Sequence, residues 1–412
     1  MGALTLVAAG PLGSAQATDS SITPTQVQTG FSVSAYGSYI VNADRSLVSG
    51  PTAYSSISCT SATGKTSTNN VAAANIPTVG VAVTSVKTLL TTTGKRAEAN
   101  STVAGANLLG GLITAGAITS TSSADKSTTG AFSGTNRTTI VNLKVLGLPI
   151  GVSPAPNTII DLKVPLLGSL GTITLNGQDK RLVNGTYQVS TAALRVQILK
   201  SGLPGLKIGT DIRLGVSTAR LTPPQAGYLT GNGFSTKASL LNGLVGSGAT
   251  AYAPVKCSGG TSTANVAGAT ISGVLTAGAA TTNTTGILTP TLKVSVTNTV
   301  AGLNVLNGLV TVDAIKAETS ASRAPSGGTV TLTDTSTFTN LKITGFTAIK
   351  ASVAPNTVVQ VPGLGEVTLH KVVKTSSSVT VTMIQIVLNQ ARGSLPTGSK
   401  IQIGYSSSGV RN

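Results

Sequence analysis

The chain reads as all-β: two tandem, related, mainly antiparallel modules, most simply β-sandwiches. Three observations lead there. The sequence states almost the same thing twice: Thr52-Ala53-Tyr54, Cys59 and Asn70-Val71-Ala72 return as Thr250-Ala251-Tyr252, Cys257 and Asn265-Val266-Ala267. Asn142-Leu143-Lys144 returns as Asn340-Leu341-Lys342, and Ala155-Pro156-Asn157-Thr158 as Ala354-Pro355-Asn356-Thr357. The offset is always roughly 200 residues, the mark of a duplicated module. Second, only 9% of residues are charged and 3% aromatic, while Val, Ile and Thr abound, which favours strands over helices and over disorder. Third, apolar residues alternate in short runs separated by turn-forming residues.

Taken in order, residues 1–17 resemble the remnant of a secretory signal. The apolar residues 4–12 lead to Ala15-Gln16-Ala17, an A-x-A cleavage pattern, although the basic n-region is missing. The mature chain is expected to start near Thr18, with residues 18–29 as a polar lead. Module one spans 30–221. The Thr222-Pro223-Pro224-Gln225-Ala226-Gly227 stretch marks a linker, taken as 222–232, because paired prolines and a glycine end regular structure. Module two spans 233–404, and 405–412 reads as a short polar tail.

A smaller repeat is nested inside. Residues 71–86, 103–118, 266–280 and 300–315 share a Val-Ala opening, and most continue to a glycine and a Thr-containing apolar run. The spacing of roughly 33 residues makes a β-solenoid the runner-up fold. Residues 329–338 alternate as a half-buried strand does. In 379–388 the apolar phase slips at Met383, and in 189–198 it slips at the equivalent place, which predicts a β-bulge in both copies. Bends are expected at Pro154-Ala155-Pro156-Asn157, Ala354-Pro355-Asn356, Asn176-Gly177 and Asn184-Gly185. No stretch reads as a convincing helix, since Gly, Thr and Ser break the Ala-rich runs. No transmembrane segment is expected: 103–118 is apolar but short, and holds Asn107 and several glycines. A transmembrane barrel lacks its aromatic girdles.

The two cysteines occupy equivalent positions. In an exported chain they predict one disulfide, Cys59–Cys257, if the modules pack about a pseudo-twofold axis near them. Buried free thiols or a bridge between chains are the alternatives.

The duplication also tests for chemistry, because a site essential to the original module should persist in both copies. The only histidine, His370, falls opposite Asn176, so a histidine-based triad is not expected, and it reads as a polar residue at a strand end. Asp161 falls opposite Gln360, Glu366 opposite Thr172, Asp313 opposite Gly116 and Asp211 opposite Lys400, so no carboxylate pair is shared. One histidine and two distant cysteines lack metal-ligand spacing. Ser61-Ala62-Thr63-Gly64-Lys65-Thr66 resembles the end of a phosphate loop, but Cys59 stands where that loop needs glycine. No catalysis, no cofactor and no metal are expected.

The net charge is +17, from 28 basic and 11 acidic residues, and favours anionic partners. Trp is absent and the basic residues are scattered, so no specific nucleic-acid partner is expected. Lys144 and Lys342 hold matched positions and are candidate contacts for an anionic polymer.

The run 103–120, Pro156-Asn157-Thr158, residues 170–176 and Leu203-Pro204 leading to Gly209-Thr210-Asp211-Ile212 resemble the choice-of-anchor P family of exported bacterial proteins. So do Pro355-Asn356-Thr357, residues 362–369 and Leu395-Pro396-Thr397-Gly398 in module two. The resemblance covers most of both modules and implies a secreted or surface protein with no assigned activity. Leu395-Pro396-Thr397-Gly398 is one residue short of a sorting signal and lies inside the repeat, so covalent wall anchoring is not expected. The expected function is a secreted structural or adhesive envelope protein without catalytic activity, able to self-associate. A binding module for anionic cell-wall polymers is the alternative, and an envelope glycan hydrolase comes third. The partners expected are an anionic polymer, another envelope protein or a second copy.

Overall fold

The computed structural model describes residues 28–43, 48–71, 74–75, 78–202, 207–224, 227–240, 245–246, 248–271, 274–324, 326–345, 353–392 and 395–411. The signal-like segment 1–17, most of the polar lead, Leu203-Pro204 and part of the linker lie outside these residues. Among them the structure is β throughout, apart from one short 3-10 turn, Leu109–Gly111.

Each half forms two antiparallel sheets. In the first half one sheet runs Thr158–Val164, Gly168–Val183, Thr186–Ile198, Asp211–Thr222, Gly30–Val41, with Ser55–Thr60 and Val48–Ser49 on the far side. The other centres on Ala82–Thr91, Gly94–Leu108, Ile113–Ser127 and Phe132–Val141. The second half repeats the plan. Thr357–Val361, Gly365–Lys374, Ser378–Leu388, Lys400–Arg411 and Tyr228–Leu240 form one sheet, and Ala280–Ile287, Leu292–Val305 and Val310–Arg323 carry the other. In both halves the first strand pairs with the last, 30–41 with 211–222 and 228–240 with 400–411, so each half closes on itself. No strand pairs across the halves among the described residues.

The nested repeats are antiparallel hairpins of the second sheet: 94–108 with 113–127, 292–305 with 310–323, Thr66–Val71 with 82–91, and Gly260–Val266 with 280–287. A solenoid would coil through parallel contacts, so the sandwich is the fold. Strand 400–411 takes in most of the expected tail, and strand 228–240 begins inside the span taken as linker. The expected strand at 329–338 is two short ones, Thr331–Asp334 and Thr337–Thr339, parted where Ser336 N–H bonds the Asp334 carboxylate at 3.1 Å. Leu395, in the sorting-signal look-alike, is buried in the turn before the last strand.

Alternation puts one face of every sheet inward, and the two inner faces meet. Each core is split in two. Ile118, Leu194 and Leu214 belong to one cluster of the first half, and Phe31, Val189 and Leu221 to the other. The second half has Ile315, Ile384 and Ile403 in one cluster and Leu229, Leu292 and Val410 in the other. Hydroxyls fill the middle. Ser122 bonds Thr191 at 2.8 Å and Ser217 at 2.9 Å. In the second half Thr319 bonds Ser408 at 2.8 Å, and the Asn298 amide donates to Ser235 at 2.8 Å and Thr282 at 2.7 Å. These buried hydroxyls are tolerated because they satisfy one another, whereas Ser120 and Ser406 are buried without a partner among the described residues.

The phase slip is real but is not a one-strand bulge. Gly37, Gly215, Ala193 and Asn176 drop out of the ladder, one from each of four adjacent strands; Ser235, Gly404, Met383 and His370 do the same in the second half. Asn176, Gly215, His370 and Gly404 take positive φ, at 51°, 60°, 47° and 64°. Asn176-Gly177 is therefore a fault within a long strand rather than a turn. Asn184-Gly185, with φ of 48° and 74°, does turn a hairpin, as its sequence predicts.

Candidate functional site

Equivalent residues of the two halves meet face to face. Cys59 and Cys257 form a disulfide with Cα atoms 5.4 Å apart. The Tyr54 and Tyr252 rings meet edge-on, centroids 5.4 Å apart. Gly50 and Gly248 bring backbones together: a Cβ on Gly50 would fall 1.8 Å from the Ala249 carbonyl oxygen, and one on Gly248 1.9 Å from that of Gly50. Only glycine permits this approach. Such self-paired contacts are what a twofold relation between the halves requires.

Beside this contact lies a cleft of about 1200 Å³, lined by both halves and floored by the disulfide. Arg181 and Arg220 line it from the first half, Lys237 and Lys256 from the second, and no carboxylate lines it among the described residues. Strand order explains the placement. Arg220 and Gln188 are register partners on neighbouring strands, so their side chains share a face. The Arg220 Nε donates to Gln188 Oε1 at 2.7 Å, and the Gln188 amide donates to Asp179 at 3.1 Å. Asp179 also pairs with Arg181 at 3.3 Å. Burial pulls the Arg220 guanidinium below its usual pKa, with Tyr54 opposing and Arg181 adding to the shift. Burial does the same to Lys237, with Lys400 contributing. Among the described residues Lys237 has no hydrogen bond or ion pair, and Arg220 has only the one to Gln188.

Elsewhere most of the described acids are occupied. Asp211 sits between Arg195 and Arg213, at 2.9 and 2.6 Å. Burial opposes its ionisation, but hydrogen bonds from both arginines outweigh burial and hold its carboxyl below the usual range. Asp125 pairs with Arg96 at 2.6 Å and Glu318 with Lys316 at 2.6 Å. Asp313 accepts from the Asn340 amide at 2.6 Å. His370 lies within a strand rather than at its end. Its Nδ1 donates to Val353 O at 3.0 Å and its Nε2 lies 2.8 Å from Asp334. Asn176 makes the matching bond, to Pro154 O at 2.9 Å. The residue opposite His370 in the duplication thus hooks the same loop. No group of three His, Cys, Asp or Glu is placed to hold a metal among the described residues.

Lys144 and Lys342 are exposed on matched short strands, Lys144–Val145 and Lys342–Ile343, one in each half. The structure does not bring them together, and neither lines the cleft. The cleft cations escaped sequence reasoning for a clear reason. By strand register Arg220 corresponds to Gly409 and Lys237 to Tyr39, so a search for sites kept in both copies discards them.

A family model described as a domain of unknown function (DUF8256) matches residues 240–392, the second half without its first and last strands. No curated protein matches the chain, and no solved structure does.

Proposed function

We propose that this is an exported, non-catalytic cell-envelope protein held at the surface by anionic polymers. One observation carries the reading: apart from Glu98, each described carboxylate takes a hydrogen bond or ion pair from the protein's own donors, while Arg220, Lys237 and Lys256 of the cleft have no carboxylate partner among the described residues. The +17 charge is thus left for an external partner. The resemblance to exported surface proteins supports the location. The placement of His370 supports the absence of catalysis, since both ring nitrogens are engaged and none is left to move a proton.

The test is sedimentation with purified Gram-positive walls across a salt series, with walls stripped of anionic polymers as control. Binding at low salt that falls steeply with added salt and is lost on stripped walls is expected. Equal binding to stripped walls, or none at low salt, overturns the reading.

Self-association is favoured by a separate observation. Ile159 is 68% exposed on the edge strand Thr158–Val164, and Leu166, Leu167 and Leu199 are exposed around its hairpin. An open apolar edge is a template for another strand.

A further inference from the structure

We propose that the cleft between the sandwiches is a saturable binding site for an oxyanion carried on a hydroxylated chain, gripped by Arg220 and Lys237. This goes beyond retention by overall charge, because it assigns binding to named groups in one place.

The donors are ready and unmatched. Among the described residues Arg220 spends only its Nε on the protein, and the Gln188–Asp179 relay fixes the plane of its guanidinium. Its terminal nitrogens remain for the two-pronged contact that guanidinium makes with phosphate or carboxylate. Lys237 is half-buried and has no counter-ion among the described residues, and Lys400 adds like charge. An anion in the cleft would relieve both penalties. Arg181 and Lys256 are exposed at the same cleft, where they steer an anion inward.

The rest of the lining selects the carrier. Ser32, Ser34, Thr230 and Asn232 line the cleft, half-exposed, from the equivalent first strands of the two halves. Hydroxyls and an amide match a polyol or a sugar. A cleft of about 1200 Å³ is far larger than a single phosphate needs and suits a chain segment. A phosphodiester-linked polyol and a uronate glycan share this chemistry.

Titration calorimetry on the oxidised full chain separates them, with glycerol phosphate oligomers in one arm and oligogalacturonate in the other. One-to-one binding of at least one oligomer is expected, and the arm that binds identifies the oxyanion. R220Q and K237Q should each weaken it at least tenfold, with K293Q, an exposed lysine away from the cleft, unchanged. K256Q, at an exposed position, should weaken it about threefold without touching the fold, and circular dichroism checks all four variants. Absence of one-to-one binding in both arms, or wild-type affinity in R220Q and K237Q, overturns the inference. Walls that bind while neither oligomer does overturn this inference alone. Oligomers that bind while walls do not overturn the retention reading alone.

Discussion

His370 shows how one side chain can differ between copies and keep its task. It replaces an asparagine hook with one that also reaches Asp334 on the facing sheet. Both contacts need a ring proton, so the imidazolium satisfies both at once. The hydrogen bond to Asp334 raises the His370 pKa against burial. Burial works against the Asp334 charge, but hydrogen bonds from His370 and Ser336 hold its pKa low. The histidine contribution is therefore complete below the unfolded value of about 6.5 and is lost as pH rises through the higher folded value. The aspartate contribution is present above about 3.9 and is lost as pH falls through the lower folded value. H370N keeps the hook and removes the ion pair. It should destabilise by about 2 kcal/mol at pH 6 and by much less at pH 9. Urea denaturation at the two pH values checks this; the same loss at both would remove the ion pair from the account.

At the scale of the element, the fault across the sheet sets what each position tolerates. Gly404 has φ of 64°, and a Cβ there would fall 2.8 Å from Ile315 Cγ2. Gly302 has φ of 60° and open space around it. G404A should cost about 3 kcal/mol, from left-handed strain plus overpacking, and G302A about 1 kcal/mol from strain alone. Equal costs in chemical denaturation would mean that packing at the fault contributes nothing. On the open edge, I159K should weaken any self-association by more than tenfold in sedimentation velocity, because an edge lysine opposes strand addition. Much of this level was legible in the sequence. The duplication located the strands, and the slip at Met383 located the fault. Its form was not legible, because a skip that removes one residue from each strand leaves the same phase change as a bulge. The last strand was hidden by Ser406, Ser407 and Ser408, which read as tail but include buried hydroxyls of the sandwich centre. Hydropathy alone misreads a core built partly of hydroxyls.

For the whole molecule, the disulfide joins two units that share no strand ladder among the described residues. In the chain-entropy model a bridge closing so long a loop stabilises by about 5 kcal/mol. Reduction should lower the midpoint of calorimetric unfolding and split one transition into two, as the halves uncouple. A single transition at an unchanged temperature would show that the noncovalent contacts around Gly50 and Tyr54 suffice to couple them. The cleft belongs to this scale too. Its cations sit on strands far apart in sequence and lack counterparts in the other copy, so no local motif announced them.

The pairing of equivalent residues at the junction has one more consequence. Contacts such as Cys59–Cys257 and Tyr54–Tyr252 are those a symmetric dimer of single modules would make. In such a dimer every group off the axis appears twice, and a chain lying across it would meet the same surface in either orientation. Joining two copies in one polypeptide lifts that constraint. Arg181 and Arg220 approach from one wall and Lys237 and Lys256 from the other, with unlike residues at the mirrored positions. A polymer in this cleft meets guanidinium on one side and ammonium on the other, so it has a head and a tail, and the protein can read its direction.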